Sequence, residues 1–402
     1  MKTNDNDTPC VLILAPHGSY RTFDFIQAAE KLGIKTLIAS EGKHSIISAY
    51  AQGIHLDFTA DSDVVFEELK QALKDFDIMG VIATDDYTTG LAAKIARQLG
   101  LPHNNPDAVQ LTQRKDLARD CLQHHGVTKP AHRRLDLNED INKQLDDLVF
   151  PVVIKPVGLS ASRGVIRAND HTELQQTIER VQRLLLSMND LDEDVKRYLL
   201  IEEFIAGDEV AVEAMLSHGE LSILTIFDKP EPLNGPYFEE SYYITPTGLN
   251  QSLQQQMQSE LQAACLAYGL SEGPVHAECR IRDNKVFIIE IAARTIGGLC
   301  GRLLSFGTGF SLEELVLKQA MGQSIALEKT DQAAGVLMIP IPKAGVLKRV
   351  EGLLVAQRVP FVDEVNIQIR EGHELIPLPE GSSYLGFIFA YAPSTQQAEQ
   401  AL

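Results

Sequence analysis

Two hydrophobic periods alternate along the first quarter of the chain. Short apolar runs at Val11–Leu14, Thr36–Ala39 and Gly80–Ala83 are separated by stretches whose apolar residues recur every three to four positions, at Thr22–Leu32, Val64–Leu73 and Tyr87–Leu99. Strands alternating with amphipathic helices predict a parallel α/β sheet. The proline- and asparagine-rich LPHNNPDAV (Leu101–Val109) reads as a domain boundary. Beyond it the pattern predicts one helix over Leu111–His124, a buried strand over Phe150–Lys155, a helix over Thr172–Ser187 and an acidic linker over Asn189–Lys196. Strands follow at Tyr198–Phe204 and Glu209–Leu216, around Ile205-Ala206-Gly207, and helices at Leu253–Tyr268 and Leu312–Met321. Between them, Asp228–Leu249 is an aromatic, proline-rich loop, long enough to suggest a substrate loop or disorder. The last region, Gly335–Leu402, predicts short strands at VLMIPI, GLLVAQ, EVNIQI and FIFAYA.

The densest chemistry lies in Val275–Gly301. Two apolar-rich runs flank Arg282-Asp283-Asn284-Lys285, a hairpin signal. A three-residue loop, Asp283–Lys285, sets Glu278 directly opposite Glu290. His276, Glu278, Arg280, Val286, Ile288 and Glu290 then share one face, and Ala277, Cys279, Ile281, Phe287, Ile289 and Ile291 fill the other. Like charges facing each other across a sheet repel, and a divalent cation between them removes the objection, since Mg²⁺ is commonly held by one or two carboxylates plus phosphates. The alternative is a surface hairpin with two unrelated glutamates. Arg294 and the pair Gly297-Gly298 follow at once, placing a cation and a bare backbone beside the carboxylates.

Other candidates are weaker when taken singly. Lys155 ends an apolar strand, where burial without a partner is costly. The loop PVGLSASRG follows it, with Ser160, Ser162 and Gly164 suited to contact phosphate oxygens. Lys115 alone reads as a solvated helix lysine. YLLIEEF runs into an open segment whose backbone can present donors and acceptors to a flat heterocycle. Glu202, Glu203 and Glu209 there either hold a ribose or mark a strand end at the surface.

Composition narrows the partners. A formal net charge of −19 over 402 residues leaves no basic footprint for nucleic acid or an anionic membrane. A nucleotide in a local basic pocket stays compatible with it. No apolar run reaches the ~20 residues of a membrane span, and the polar start MKTNDNDTPC lacks a signal-peptide core. Five scattered cysteines without a CxxC pair indicate neither disulfides nor zinc, so a cytoplasmic protein is expected. The first βα loop carries a single glycine, Gly18, and no GxGxxG, which argues against a dinucleotide-dependent oxidoreductase.

In order, these features run lysine, strand-end lysine, serine/glycine loop, strand-Glu-Glu-strand, Glu, Glu, Arg, Gly-Gly. The series resembles the ATP-grasp superfamily of ADP-forming carboxylate–amine ligases, most closely its L-amino-acid ligase branch. The resemblance covers the whole length. It implies an α/β and α+β architecture, with a Rossmann-like pre-ATP-grasp domain at 1–110, an ATP-grasp core at 111–330 containing a flexible lid at about 130–204, and a small C-terminal lobe at 331–402. It implies that Lys115 and Lys155 contact ATP and that residues 160–164 close over the phosphates. It places Glu202, Glu203 and Phe204 at the adenine hinge and makes Glu209 the ribose acid. It makes Glu278 and Glu290 the ligands of Mg²⁺ or Mn²⁺. Ala292 stands where many members carry a metal-touching asparagine, so Glu290–Arg294 has the E-x-A-x-R form of amino-acid ligases. Glu240 would meet a substrate amino group, and Arg294 with Gly297 and Gly298 an acyl phosphate. His276 would orient a ligand or accept the amine proton, or be a packed histidine. The expected reaction joins a small carboxylate to an amine, such as two amino acids, through an acyl phosphate. A purine-type glycinamide-forming or carboxylating ligase, or a non-catalytic nucleotide-binding protein, is the alternative. A homodimer is an open possibility.

Overall fold

The computed structural model describes residues 9–17, 19–41, 52–305, 309–323 and 332–402; Gly18 lies outside them. The N-terminal unit is β1 (Cys10–Leu14), α1 (Thr22–Leu32), β2 (Lys35–Ser40), β3 (Gln52–His55), α2 (Ser62–Ala72), β4 (Ile78–Ala83) and α3 (Asp86–Leu99). Its parallel sheet has the order β3-β2-β1-β4. β1 is apolar and fully buried because it is sandwiched on both faces. The strand order reverses between β1 and β4, which stay parallel, so the loops after these strands flank the crevice where open α/β sheets bind ligands.

The predicted single helix over 111–124 is two helices. α4 (Pro106–Gln113) starts on proline behind an Asn105 cap, and α5 (Lys115–His124) starts anew after Arg114, whose backbone is extended. The break puts the Lys115 amide 2.8 Å from the Val157 carbonyl, tying α5 to the segment that follows the strand ending at Pro156. A four-stranded subdomain follows: β5 (His132–Asp136), α6 (Ile141–Gln144), β6 (Val152–Pro156), β7 (Ile166–Ala168), α7 (His171–Leu186), α8 (Glu193–Arg197) and β8 (Tyr198–Glu203), in sheet order β5-β8-β6-β7. It has its own apolar core, built on Ile154, Ile178, Leu185 and Ile201. Helix α8 occupies the stretch expected to be a linker.

The central sheet contains β9 (Asp208–Ser217), β10 (Glu220–Asp228), β11 (Tyr242–Thr245), β12 (Gly273–Arg282) and β13 (Lys285–Ala292), with α9 (Gln251–Tyr268) across one face. It continues without interruption into the C-terminal strands β14 (Ala333–Ile339), β16 (Val362–Ile367) and β18 (Gly386–Ala392), in the order β13-β12-β9-β10-β11-β14-β18-β16. The short strands β15 (Gly345–Val346) and β17 (Glu374–Leu375) pair separately. The apolar segment GLLVAQ, expected as a strand, is a helical turn at Leu353–Ala356 with Leu354 and Val355 exposed. Alternation along β9 sorts the sheet's faces. Val210, Val212, Ala214 and Leu216 pack with Met257, Leu261 and Cys265 of α9, while Glu209, Ala211, Glu213 and Met215 point the other way.

The hairpin differs instructively from expectation. Its loop has two residues, Asp283 and Asn284, both at positive φ (53° and 58°), which pairs Arg282 with Lys285. That shifts the register by one, so Phe287, not Val286 or Ile288, faces Arg280; Val286 and Ile288 are in the core under α9. A bulge at Ile289 then restores the phase, and Glu278 does stand opposite Glu290.

Candidate functional site

The polar face of the sheet gathers the chemistry. Arg280 pairs in register with Glu209, Glu278 with Ala211, and His276 with Glu213. The cross-strand contacts are ionic: Arg280 Nε donates to Glu209 Oε2 at 2.6 Å, and His276 Nδ1 lies 2.6 Å from Glu213 Oε1. Between these pairs the small Ala211 leaves room over Glu278. Lys229, at the end of β10, donates to Glu209 Oε1 at 2.7 Å and also pairs with Glu240, whose other oxygen accepts from Tyr243 Oη at 2.6 Å. Glu209, Glu240 and Glu278 place ligand oxygens within 4.8 Å of one another. Lys229 already binds two of these three carboxylates, so Glu278 is the member of this group left to face a metal.

Burial disfavours the charge on Glu278, yet Lys229 and His276 outweigh it and hold the carboxyl far below its usual range. Burial likewise opposes protonation of His276, but its hydrogen bond to Glu213 and the nearby Glu278 carboxylate push it up to about 9. An imidazolium there faces Glu278, with Nε2 3.9 Å from Oε1. Burial and the neighbouring Glu278 and Glu209 raise Glu240 against the pull of Lys229.

Glu290 accepts from Lys115 Nζ at 3.1 Å, and the same ammonium donates to the Leu159 carbonyl at 2.8 Å. Lys155 is buried and lies 2.7 Å from Glu202 Oε2; Arg119 takes the other oxygen and also reaches the Ile289 carbonyl exposed by the bulge. Glu202 therefore sets the position of Lys155. Both oxygens of Glu209, expected as the ribose acid, are likewise paired, with Lys229 and Arg280. Glu203 is more open, 2.6 Å from Arg282. Phe204 packs against Phe238 with the rings tilted by 36° and centroids 6.3 Å apart, and is approached by the guanidinium of Arg167 at 4.3 Å.

Burial raises the Glu202 carboxyl, but Arg119 and Lys155 overcome it and bring it down to about 2 from 4.5. A depressed folded-state pKa gives stability that is complete above the unfolded value and lost as pH falls through the folded one. Unfolding free energy is therefore expected to drop by about 3 kcal/mol between pH 4.5 and 2 on account of this group. Denaturant titrations at several pH values check this; Glu202→Gln should flatten that arm.

Arg294 Nε donates to Asp86 Oδ1 at 2.7 Å, joining the sheet to the N-terminal unit. Arg21 reinforces the joint through Thr295 and the Ile296 carbonyl. Asp85 is held by the hydroxyls of Ser19 (2.7 Å) and Thr84 (2.5 Å). Arg21, Thr84, Asp85 and Asp86 lie at the switch-point crevice and line a cavity of about 330 Å³, together with Gly297, Gly298, Leu299, Met338, Tyr384 and Phe387. A smaller cavity of about 100 Å³ lies between the four-stranded subdomain and the central sheet, lined by Lys115, Lys155, Ser162, Glu203, Phe204 and Glu290. Both cavities share Ser160, Glu240, His276, Glu278, Arg294 and Tyr384. Gly164 lines neither, and its amide donates to the Pro379 carbonyl at 2.8 Å.

Glu213, Lys229, Arg119 and Asp86 escaped the sequence reading. The alternation Glu209-Val210-Ala211-Val212-Glu213 was the available signal for Glu213, since it puts two acids on one face of an otherwise apolar strand. The other three come from distant segments that only the fold unites.

Three family models match the chain: an ATP-grasp N-terminal domain over residues 26–103, an ATP-grasp domain over 148–302, and an L-amino acid ligase C-terminal domain 2 over 337–402. An L-amino acid ligase structure from Bacillus licheniformis superposes with a TM-score of 0.85 at 26% identity, covering 99% of this chain and 96% of that one. The alanine–anticapsin ligase of Bacillus subtilis is 24% identical over 60% of this chain and 54% of its own length. Human carnosine synthase 1 is 26% identical over 72% of this chain and 36% of its own. The chain thus spans about half or less of the length of these two ligases. A phosphoribosylglycinamide synthetase from Anaerococcus prevotii shares the fold at a TM-score of 0.70 and 18% identity.

Proposed function

The chain belongs to the ATP-grasp superfamily, in its L-amino-acid ligase branch, and from this premise we infer that it is an ADP-forming ligase that joins a carboxylate to an amine. One observation carries the reading. A cavity whose lining of lysines, serines and Phe204 suits a nucleotide and a cavity lined for small substrates meet at Glu278, His276 and Arg294, where a phosphoryl group must change hands.

In this reading, adenine packs against Phe204 and the strand end at Glu203, while Lys115 and Lys155 neutralise phosphate oxygens. Ser160 and Ser162 close over them. Glu278 and Glu290 fit a divalent cation, being opposed hard oxygen donors on one face with Glu278 kept ionised. Bound there, Mg²⁺ would neutralise phosphate charge. A substrate carboxylate oxygen attacks the γ-phosphorus, the bond to the β-phosphate oxygen breaks, and ADP and an acyl phosphate result. The amine nitrogen then attacks the acyl carbon, its C–O bond to phosphate breaks, and the nitrogen sheds a proton. Arg294 stabilises the oxyanion formed in that attack.

Amino acids suit the larger cavity. Leu299, Met338 and Phe387 offer apolar surface, and Asp85 and Glu240 offer carboxylates to an ammonium group. Its cationic groups, Arg21, Arg294 and His276, are already bonded within the protein, which disfavours the sugar phosphates of purine-type ligases. A phosphate-release screen of ATP, Mg²⁺ and paired amino acids tests this, with mass spectrometry of the product. Release that depends on a pair and yields a dipeptide is expected; ATP turnover indifferent to every pair sinks the reading.

A further inference from the structure

We propose that Glu380 is a positioning residue whose clasp on the phosphate loop ties loop closure to occupancy of the substrate cavity; this rests on the ligase reading above. The segment Pro377–Tyr384 joins two places. In its first half, the Pro379 carbonyl accepts from the Gly164 amide at 2.8 Å, and the Glu380 carbonyl accepts from Arg163 Nε at 3.1 Å. The Glu380 carboxylate takes the Arg180 guanidinium of α7 in a two-point contact, at 2.7 and 3.0 Å. In its second half, Ser382, Ser383 and Tyr384 line the substrate cavity, and Tyr384 lines the nucleotide cavity as well.

The link between the halves is short and stiff. The Gly381 amide donates to the Pro377 carbonyl at 2.8 Å, and a Cβ on Gly381 would sit 1.9 Å from the Ile376 carbonyl oxygen. That turn excludes a side chain, so movement of Ser382–Tyr384 reaches Glu380 within two residues. At the loop, Gly164 has φ +69°, and a Cβ there would meet Pro156 at 2.7 Å, which fixes the amide that Pro379 receives. A second strap runs parallel. Arg180 also donates to Tyr237 Oη at 2.6 Å, and Tyr237 lies three residues before Glu240, which lines both cavities.

Arg180 and Glu380 are each about 40% exposed at the side chain. A pair in that setting contributes little by itself, and its forked geometry gives direction more than strength. Those are the properties of a clasp that must open in every cycle. Its loss lets water reach the acyl phosphate. The water oxygen attacks the acyl carbon, the C–O bond to phosphate breaks, and the starting carboxylate and phosphate are released with no amide formed.

Charge reversal tests the clasp. Arg180→Glu and Glu380→Arg are each expected to release about two or more phosphates per amide, where the unaltered protein releases one. The swapped double variant should return the ratio toward one. Hydrogen exchange over residues 157–165, measured on the protein without substrates, should quicken by about two- to fivefold in each single variant and recover in the swap. Single variants that keep one phosphate per amide, or a swap that recovers neither readout, overturn the proposal. If the unaltered protein makes no amide at all, the ligase reading falls instead, and exchange still decides the clasp: unchanged exchange in the single variants refutes it.

Discussion

Arg294→Met is expected to lower amide-forming turnover by about 10²–10³-fold, the cost of removing one preorganised donor to a developing oxyanion. The affinity for ATP should change far less. The reason is location: Arg294 lines both cavities, while Lys115 and Lys155, the lysines proposed to face the triphosphate, line the smaller one and not the larger. The Asp86 contact and the proximity of Glu290 and Glu213 hold its charge firmly against burial. Removing it also strands Asp86, whose carboxyl Arg294 keeps below the usual range despite burial. Arg294→Lys restores a charge near Asp86 without the second donor, so turnover is expected to stay low while thermal stability recovers. Steady-state kinetics on both variants, with melting curves, separate the two roles. A Met variant with normal turnover would remove Arg294 from the chemistry.

Lys155→Met is expected to abolish substrate-dependent ATP consumption and to destabilise the fold by about 3–5 kcal/mol, because it leaves a buried carboxylate short of one of its two cations. Both consequences follow from Glu202, 2% exposed and bonded on one oxygen by Arg119 and on the other by Lys155. The double variant Lys155→Met/Glu202→Gln should recover part of the stability and none of the activity. Denaturant unfolding reads the first and phosphate release the second. Turnover in the double variant would show that the lysine serves the fold alone.

The site was readable from sequence wherever local pattern sufficed. Alternation along a hairpin set Glu278 against Glu290, and a lysine ending an apolar strand pointed to Lys155. The failures have physical causes. No residue type announces a bulge at Ile289; it arises because a two-residue turn and the required pairing of the glutamates are one position out of phase. Helix α4 ends at Gln113 without glycine or proline, because Arg114 is drawn out by Asp116 and Asp194. GLLVAQ looked like a strand because composition predicts burial, whereas Leu354 and Val355 face solvent. Asp86 meets Arg294 across 208 residues, Arg119 meets Glu202 across 83 and Lys229 meets Glu209 across 20, and no helix or strand period pairs side chains at those separations.

The unbroken ladder from β13 to β16 has a consequence for engineering. A chimera that transplants only the terminal region of a relative would splice inside one hydrogen-bonded ribbon, at the junction of β11 with β14, and would need matched register there as well as matched sequence. Exchanging the lid, which carries a separate sheet and its own apolar centre, asks much less of the recipient.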